Sequence, residues 1–284
     1  MASDLASTLL DTGPPLPWWQ RLVRGQDRLI HLAPLAAVLL FLAAIATAFW
    51  YLRLEEVHRE QEAVKRDVEY SQQRLRLRLL ERQEQFMRLA RDISDRDMSP
   101  MQFDIRAESL VLQYPELMAL SWIDDQRRLM ATQTSPSVPR QRAWVADGQL
   151  KRGEVLEGFD LARDLRQPVY TQPLSEKGVE PVLYMHVPIT PRAHFAGELL
   201  AEFSVDGLLR YGVPAEVLAK YAVALFDGKD QLLAGQSIPE RPGLSDRLPW
   251  SGKVNEFDIP VSPVGNGLVL RAQAWRTSQG VVGG

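Results

Sequence analysis

Residues 33–52 read APLAAVLLFLAAIATAFWYL, about 20 positions without a charge, and they are followed from Arg53 to Asp92 by a heavily charged stretch that contains neither proline nor glycine. At about 1.5 Å of helical rise per residue, the apolar run spans roughly 30 Å, the thickness of a bilayer's hydrocarbon core. A cleavable signal sequence has a shorter apolar core, about 7–15 residues, near the N-terminus and before a small-residue cleavage site. Here the run begins at Ala33 and leads into Trp50, Tyr51 and Arg53, rings and charge that suit a membrane–water interface. The reading is an uncleaved transmembrane helix over 33–52. A buried core helix is the bland alternative, and such helices rarely run this far without a charge.

Orientation is less legible. Arg21, Arg24 and Arg28 precede the run, while Arg53 and Arg59 follow it among Glu55, Glu56, Glu60 and Glu62. Acidic residues count for little in the positive-inside rule, so a slight bias places residues 1–32 in the cytoplasm and the body outside. Gly13, Pro14, Pro15 and Pro17 predict a mostly unstructured tail, with Trp18 and Trp19 at the inner membrane surface.

The charged stretch is rich in Glu, Gln, Arg and Leu, all good helix formers. Within it Val57, Val64, Val68, Leu75, Leu79, Phe86 and Ala90 alternate gaps of seven and four. That eleven-residue period, about 3.67 residues per turn, draws one nearly straight apolar stripe along a helix over 53–97. The readings of the stripe that stay open are packing on the chain's own domain, the seam of a parallel homodimer through the long helix, or both, with the membrane end paired and the far end covered by the domain.

Beyond Asp92, short apolar stretches separated by Gly, Pro, Asp and Asn predict strands and turns. Residues 117–123 and 128–132 flank Asp124-Asp125-Gln126 as a hairpin. Residues 141–150 fit strand or helix, and 169–172, 182–188 and 197–205 read as further strands. A helix over 206–220, divided at Gly212 and Pro214, precedes a second set of strands at 221–227, 231–234, 254–260 and 267–275, with Asp227-Gly228 as a turn. The two sets echo each other. The expected fold class is α+β: a transmembrane helix, a long membrane-exiting helix and two antiparallel-sheet modules in tandem, over 98–206 and 207–276. Residues 277–284 are expected to begin a connection to a second transmembrane helix.

Composition narrows the function. With a net charge of −3 and no long single-sign block, nucleic acid is not an expected partner. The absence of cysteine excludes disulfides, thiolate metal sites and cysteine nucleophiles, and 45 % apolar residues fit a folded protein. The four histidines, His31, His58, His186 and His194, form no metal-binding pair, so no metal and no cofactor is expected. No Gly-rich phosphate loop, nucleophile elbow or kinase phosphoacceptor motif is present, so this chain is not expected to be an enzyme.

The arrangement resembles the extracytoplasmic region of bacterial double-Cache (tandem PAS-like) receptors, and within them the sensor histidine kinases that detect C4-dicarboxylates. The residues that carry the likeness are Pro168-Val169-Tyr170-Thr171-Gln172-Pro173, Pro181 to Pro188 through Tyr184 and His186, and Gly197 to Asp206 through Glu202. The resemblance implies that 98–206 is a membrane-distal ligand-binding module and 207–276 a membrane-proximal one, in a protein of the bacterial inner membrane whose bulk is periplasmic. It implies a small organic acid as ligand and a two-component kinase as output. Arg140, Arg142 and Trp144 resemble the positions that close over such a ligand. Glu202 stands where amino-acid-sensing relatives carry an Asp that holds the ligand ammonium.

The residues suit that role. A guanidinium offers two parallel charge-assisted bonds to a planar carboxylate, and Trp144 and Tyr170 supply apolar walls that exclude water. Strand alternation puts Val182, Tyr184 and His186 on one face and Leu183, Met185 and Val187 on the other. The candidate ligand contacts are therefore Arg140, Arg142, Trp144, Tyr170, Thr171, Tyr184, His186 and Glu202. The competing readings are a bitopic cell-envelope assembly protein that binds protein partners, and the sensor region of a chemoreceptor or cyclic-dinucleotide enzyme.

Overall fold

The computed structural model describes residues 18–96, 98–136, 145–146, 148–150, 153–173, 180–238, 256–261, 263 and 267–274. The chain divides into two compact units, Met1–Arg59 and Glu60–Gly284. Helix α1, Trp18–Arg96, belongs to both. It starts well upstream of the apolar run, so the expectation of a mostly unstructured tail is corrected: the helix already begins at Trp18.

In the first unit, Leu35, Val38, Leu39, Leu40, Phe41, Leu42 and Ile45 all lie half or more exposed, and no residue of the apolar window is buried. A core helix would bury one face. Among the described residues this is the one helix long and apolar enough to cross a membrane.

The second unit holds two antiparallel sheets. The first comprises β1 (Leu117–Asp124), β2 (Leu129–Thr134), β5 (Val169–Tyr170), β6 (Val182–Ile189) and β7 (Gly197–Ser204), with a two-residue hairpin of β3 (Val145–Ala146) and β4 (Gln149–Leu150) beside it. The second comprises β8 (Tyr221–Phe226), β9 (Leu232–Gly235), β10 (Glu256–Pro260) and β11 (Val269–Ala274). The strand orders are β2-β1-β7-β6-β5 and β9-β8-β11-β10. In each sheet the opening hairpin lies at one edge, and its first strand pairs with the last strand of the set.

The opening turns repeat at atomic level. Asp124 Oδ1 accepts the N–H groups of Gln126 and Arg128 at 2.9 and 2.7 Å, and Asp227 Oδ1 accepts those of Lys229 and Gln231 at 2.8 and 2.7 Å. In both turns the third residue after the aspartate, Arg127 or Asp230, has a φ of 63°. The carboxylate holds the turn closed where the left-handed residue would otherwise strain it.

Two helices of the first module lie where the sequence reading expects none. α2 (Pro100–Gln113) starts with a capping box, Ser99 Oγ accepting from the Gln102 N–H and Gln102 Oε1 from the Ser99 N–H, with Pro100 in the first turn. α3 (Gly153–Leu165) buries Val155, Gly158, Phe159 and Ala162. α4 (Val205–Gly212) and α5 (Ala215–Lys220) join the modules.

The eleven-residue stripe of α1 is covered by the chain's own modules: Val64, Val68, Leu75, Leu79, Phe86 and Ala90 are all at most 4 % exposed, and the side chain of Val57 lies outside the described residues. Asp67 accepts from Tyr221 Oη at 3.1 Å and Gln72 donates to the Pro260 carbonyl at 3.4 Å, so this stretch meets the second module. Further along, Phe86 packs on Phe203 and Asp92 pairs with Arg106, so the helix meets the first. From Val64 to Ala90 the stripe therefore packs on the chain's own modules.

Candidate functional site

The first sheet has two unlike faces. Toward α1 and α2 it presents Leu183, Met185, Val187, Leu199, Ala201 and Phe203, an apolar core. Toward α3 it presents Val182, Tyr184 and Leu200, packed with Ile123, Val155 and Phe159. Cross-strand register adds polar groups to that second face. Ala119, Glu202 and Tyr184 share one row, and Ser121, Leu200 and His186 the next. Glu198 stands one step along β7, diagonal to His186.

These polar groups are deeply buried: His186, Glu198 and Ser121 are 0 % exposed and Glu202 is 3 % exposed. Burial of this kind is tolerated only with partners. His186 Nδ1 lies 3.1 Å from each carboxylate oxygen of Glu198, and the hydroxyls of Ser121 and Thr132 meet at 2.8 Å. Burial pushes the Glu198 carboxyl above the usual carboxylate range, with the His186 ring opposing the shift. His186 Nε2 has no hydrogen-bond partner and faces Gly158 of α3, where a Cβ would come within 2.2 Å of it. Glycine lets α3 lie directly on the imidazole. Thr171 donates its N–H to the Tyr184 carbonyl at 3.2 Å, and its buried hydroxyl also lacks a partner. Arg127 closes one side, its guanidinium 2.7 Å from Asp160 on α3 and 5.7 Å from the centre of the Phe159 ring.

The structure thus brings Tyr184, His186 and Glu202 onto one face, with Thr171 bonded at its edge. Tyr170 lies apart from them. It pairs in register with Met185 on the other face, and its hydroxyl donates toward the Leu79 carbonyl (3.5 Å) and Gln83 Oε1 (3.3 Å) of α1. Burial there pushes its phenol well above the ordinary tyrosine range. Arg140, Arg142 and Trp144 lie outside the described residues. Glu198 and Gly158 were not among the expected residues. Alternation from Glu202 places Glu198 on the same face, but its approach to His186 depends on register, which sequence alone does not specify. Among the described residues no group of three or more His, Cys, Asp or Glu is placed to hold a metal ion.

A cleft of about 380 Å³ lies elsewhere, on the α1–α2 side, lined by Ile93, Ser94, Met98, Trp122, Ile189 and Pro191 among others. Among the described residues, none of the expected contacts lines it. Its described lining is mostly apolar, with Ser94 supplying a hydroxyl.

No protein-family model matches the sequence, and no curated protein does. The fold is similar to the ligand-binding domain of the Pseudomonas aeruginosa PAO1 amino acid chemoreceptor PctB in complex with L-Arg, at 16 % identity over 76 % of this chain and 88 % of that one, with a TM-score of 0.52. It is also similar to the sensory domain of the Campylobacter jejuni chemoreceptor Tlp3 (CcmL), at 12 % identity over 76 % and 93 %, with a TM-score of 0.50. At these identities the likeness is one of fold alone.

Proposed function

We propose that this chain is the sensing region of a membrane-anchored bacterial receptor, exposed outside the membrane, and that its first module binds a small carboxylate metabolite on the sheet face beneath α3. The observation that carries the reading is the concentration of buried polar side chains, Ser121, Tyr184, His186, Glu198 and Glu202, on one face of a sheet whose other face is apolar. A sheet needing only a core has no use for them, since each costs desolvation.

In the first version the ligand is a C4-dicarboxylate-like organic acid, its carboxylates held by Arg140 and Arg142. A second version, an amino acid, is favoured by the two buried carboxylates Glu198 and Glu202, which suit a ligand ammonium, and by the L-Arg bound to PctB. The output is a two-component histidine kinase in our reading; the chemoreceptor origin of both similar structures favours a chemoreceptor output as the alternative. Binding draws α3 and the sheet together and biases α1 by the ligand's differential affinity for the two states. The chain itself catalyses nothing.

A thermal-shift screen of the full chain in nanodiscs tests this, with succinate, malate, fumarate and the L-amino acids as probes. A ligand at about 100 times its Kd adds about 2.7 kcal/mol of stability, a shift of several degrees. Stabilisation by one of these probes is expected; a flat screen favours the assembly-protein reading instead.

A further inference from the structure

The tryptophan pair and the arginines that precede the membrane span are not used by the proposed sensing site. They belong to α1, which starts at Trp18 and runs through Pro34, the one proline within it. At about 100° per residue, helical geometry sorts positions 18–33 into two halves. Trp18, Trp19, Leu22, Val23, Leu29 and Ile30 fall on one half of the circumference. Gln20, Arg21, Arg24, Asp27, Arg28 and His31 fall on the other, and Gln26 is the one polar residue on the apolar half. From Pro34 to Leu52 the division ends, since no charge stands on any side. A helix apolar all round crosses a bilayer, whereas one split into a tryptophan-bearing apolar half and a basic half lies along its surface.

We propose that residues 18–33 form an interfacial helix in the plane of the cytoplasmic leaflet, its apolar half at the acyl boundary and Arg21, Arg24 and Arg28 on anionic lipid headgroups. The helix is continuous with the membrane span, so the lipid surface is always within its reach. In the compact unit Met1–Arg59 the described residues are those of α1 alone, so among them no second element offers the apolar half a protein surface. Charge is complementary as well: Arg21, Arg24 and Arg28 outweigh Asp27 and face a leaflet of negative surface potential.

Pro34 stands where the direction must change. It has no N–H for the Ile30 carbonyl and its ring crowds that carbonyl, so the helix kinks there. The proposal rests on the membrane-anchor reading and on a cytoplasmic N-terminus.

The chain has no cysteine, so nitroxide labels can be placed singly on the full chain in proteoliposomes of phosphatidylcholine and phosphatidylglycerol. Collision with oxygen, which concentrates in lipid, relative to a nickel chelate, which stays in water, reads the surroundings of each label. Leu22→Cys and Leu29→Cys should give a ratio several-fold above Arg24→Cys and His31→Cys, at equal shallow depth, with Leu42→Cys the deepest. Native mass spectrometry of the full chain released from mixed-lipid nanodiscs should show phosphatidylglycerol retained several-fold over phosphatidylcholine. Arg21→Gln, Arg24→Gln and Arg28→Gln together should abolish that preference. With Leu42 deep, the proposal is overturned by equal ratios on the two halves, or by an unchanged lipid preference in the triple variant. It is overturned equally by a Leu22 label about 10 Å farther from the bilayer than Leu29, as on a helix standing along the membrane normal. A Leu42 label in water overturns the anchor reading along with it.

Discussion

Glu198 sits where water does not reach, against the imidazole of His186, and its carboxyl is pushed upward by that burial. A folded-state pKa above the unfolded one, about 4.3, means that the stabilising contribution is complete below the unfolded value and is lost as pH rises through the folded value. Glu198→Gln removes the titration. Wild type minus variant stability, from thermal melts between pH 4 and pH 8, should therefore decline as pH rises; a difference that is constant or grows with pH contradicts the assignment. At this scale the sequence is partly transparent. Period-two alternation places Tyr184 and His186 together, yet it gives no register, and register alone sends Tyr170 to the α1 face opposite Met185 and brings Glu198 to His186.

α1 shows how one element can be legible in part. The eleven-residue period marks out the inner stripe in the sequence alone, but whether a stripe meets its own chain or another depends on what the rest of the fold brings to it. Its register is fixed by more than apolar contact: Arg82 Nε lies 3.1 Å from Glu116 Oε1, with its guanidinium 3.6 Å over the Tyr114 ring. Leu79→Ala should cost about 2–5 kcal/mol by denaturant unfolding, because the side chain is 1 % exposed and leaves a cavity. Ile105→Ala, at 64 % exposure on α2, should change stability by less than about 0.5 kcal/mol. Equal costs would contradict the burial of the inner stripe. α2 is signalled by Ser99, Pro100 and Gln102 as cap residues. α3 is obscured because Gly158 interrupts its pattern, and that glycine is explained only by the histidine beneath it.

Across the whole molecule, the repeat of an Asp-bound turn followed by long strands is readable from Asp124 and Asp227. The matching strand orders are not, since they rest on pairings between distant segments. The two sheets differ in what they bury: the first places charged groups beneath a helix, and the second carries its charge on Arg271, bound to Asp230 and Asp258 near solvent. The proposed ligand site accordingly lies on the first. Calorimetric titration of the full chain in nanodiscs with whichever organic acid or amino acid stabilises it, repeated for Tyr184→Phe and Glu202→Gln, tests that assignment most directly. Loss of one hydrogen bond to a charged group, about 1.5–3 kcal/mol, should weaken binding by about 10–150-fold in at least one variant while the melting transition remains cooperative. Unchanged affinity in both variants would place the ligand elsewhere and contradict the account.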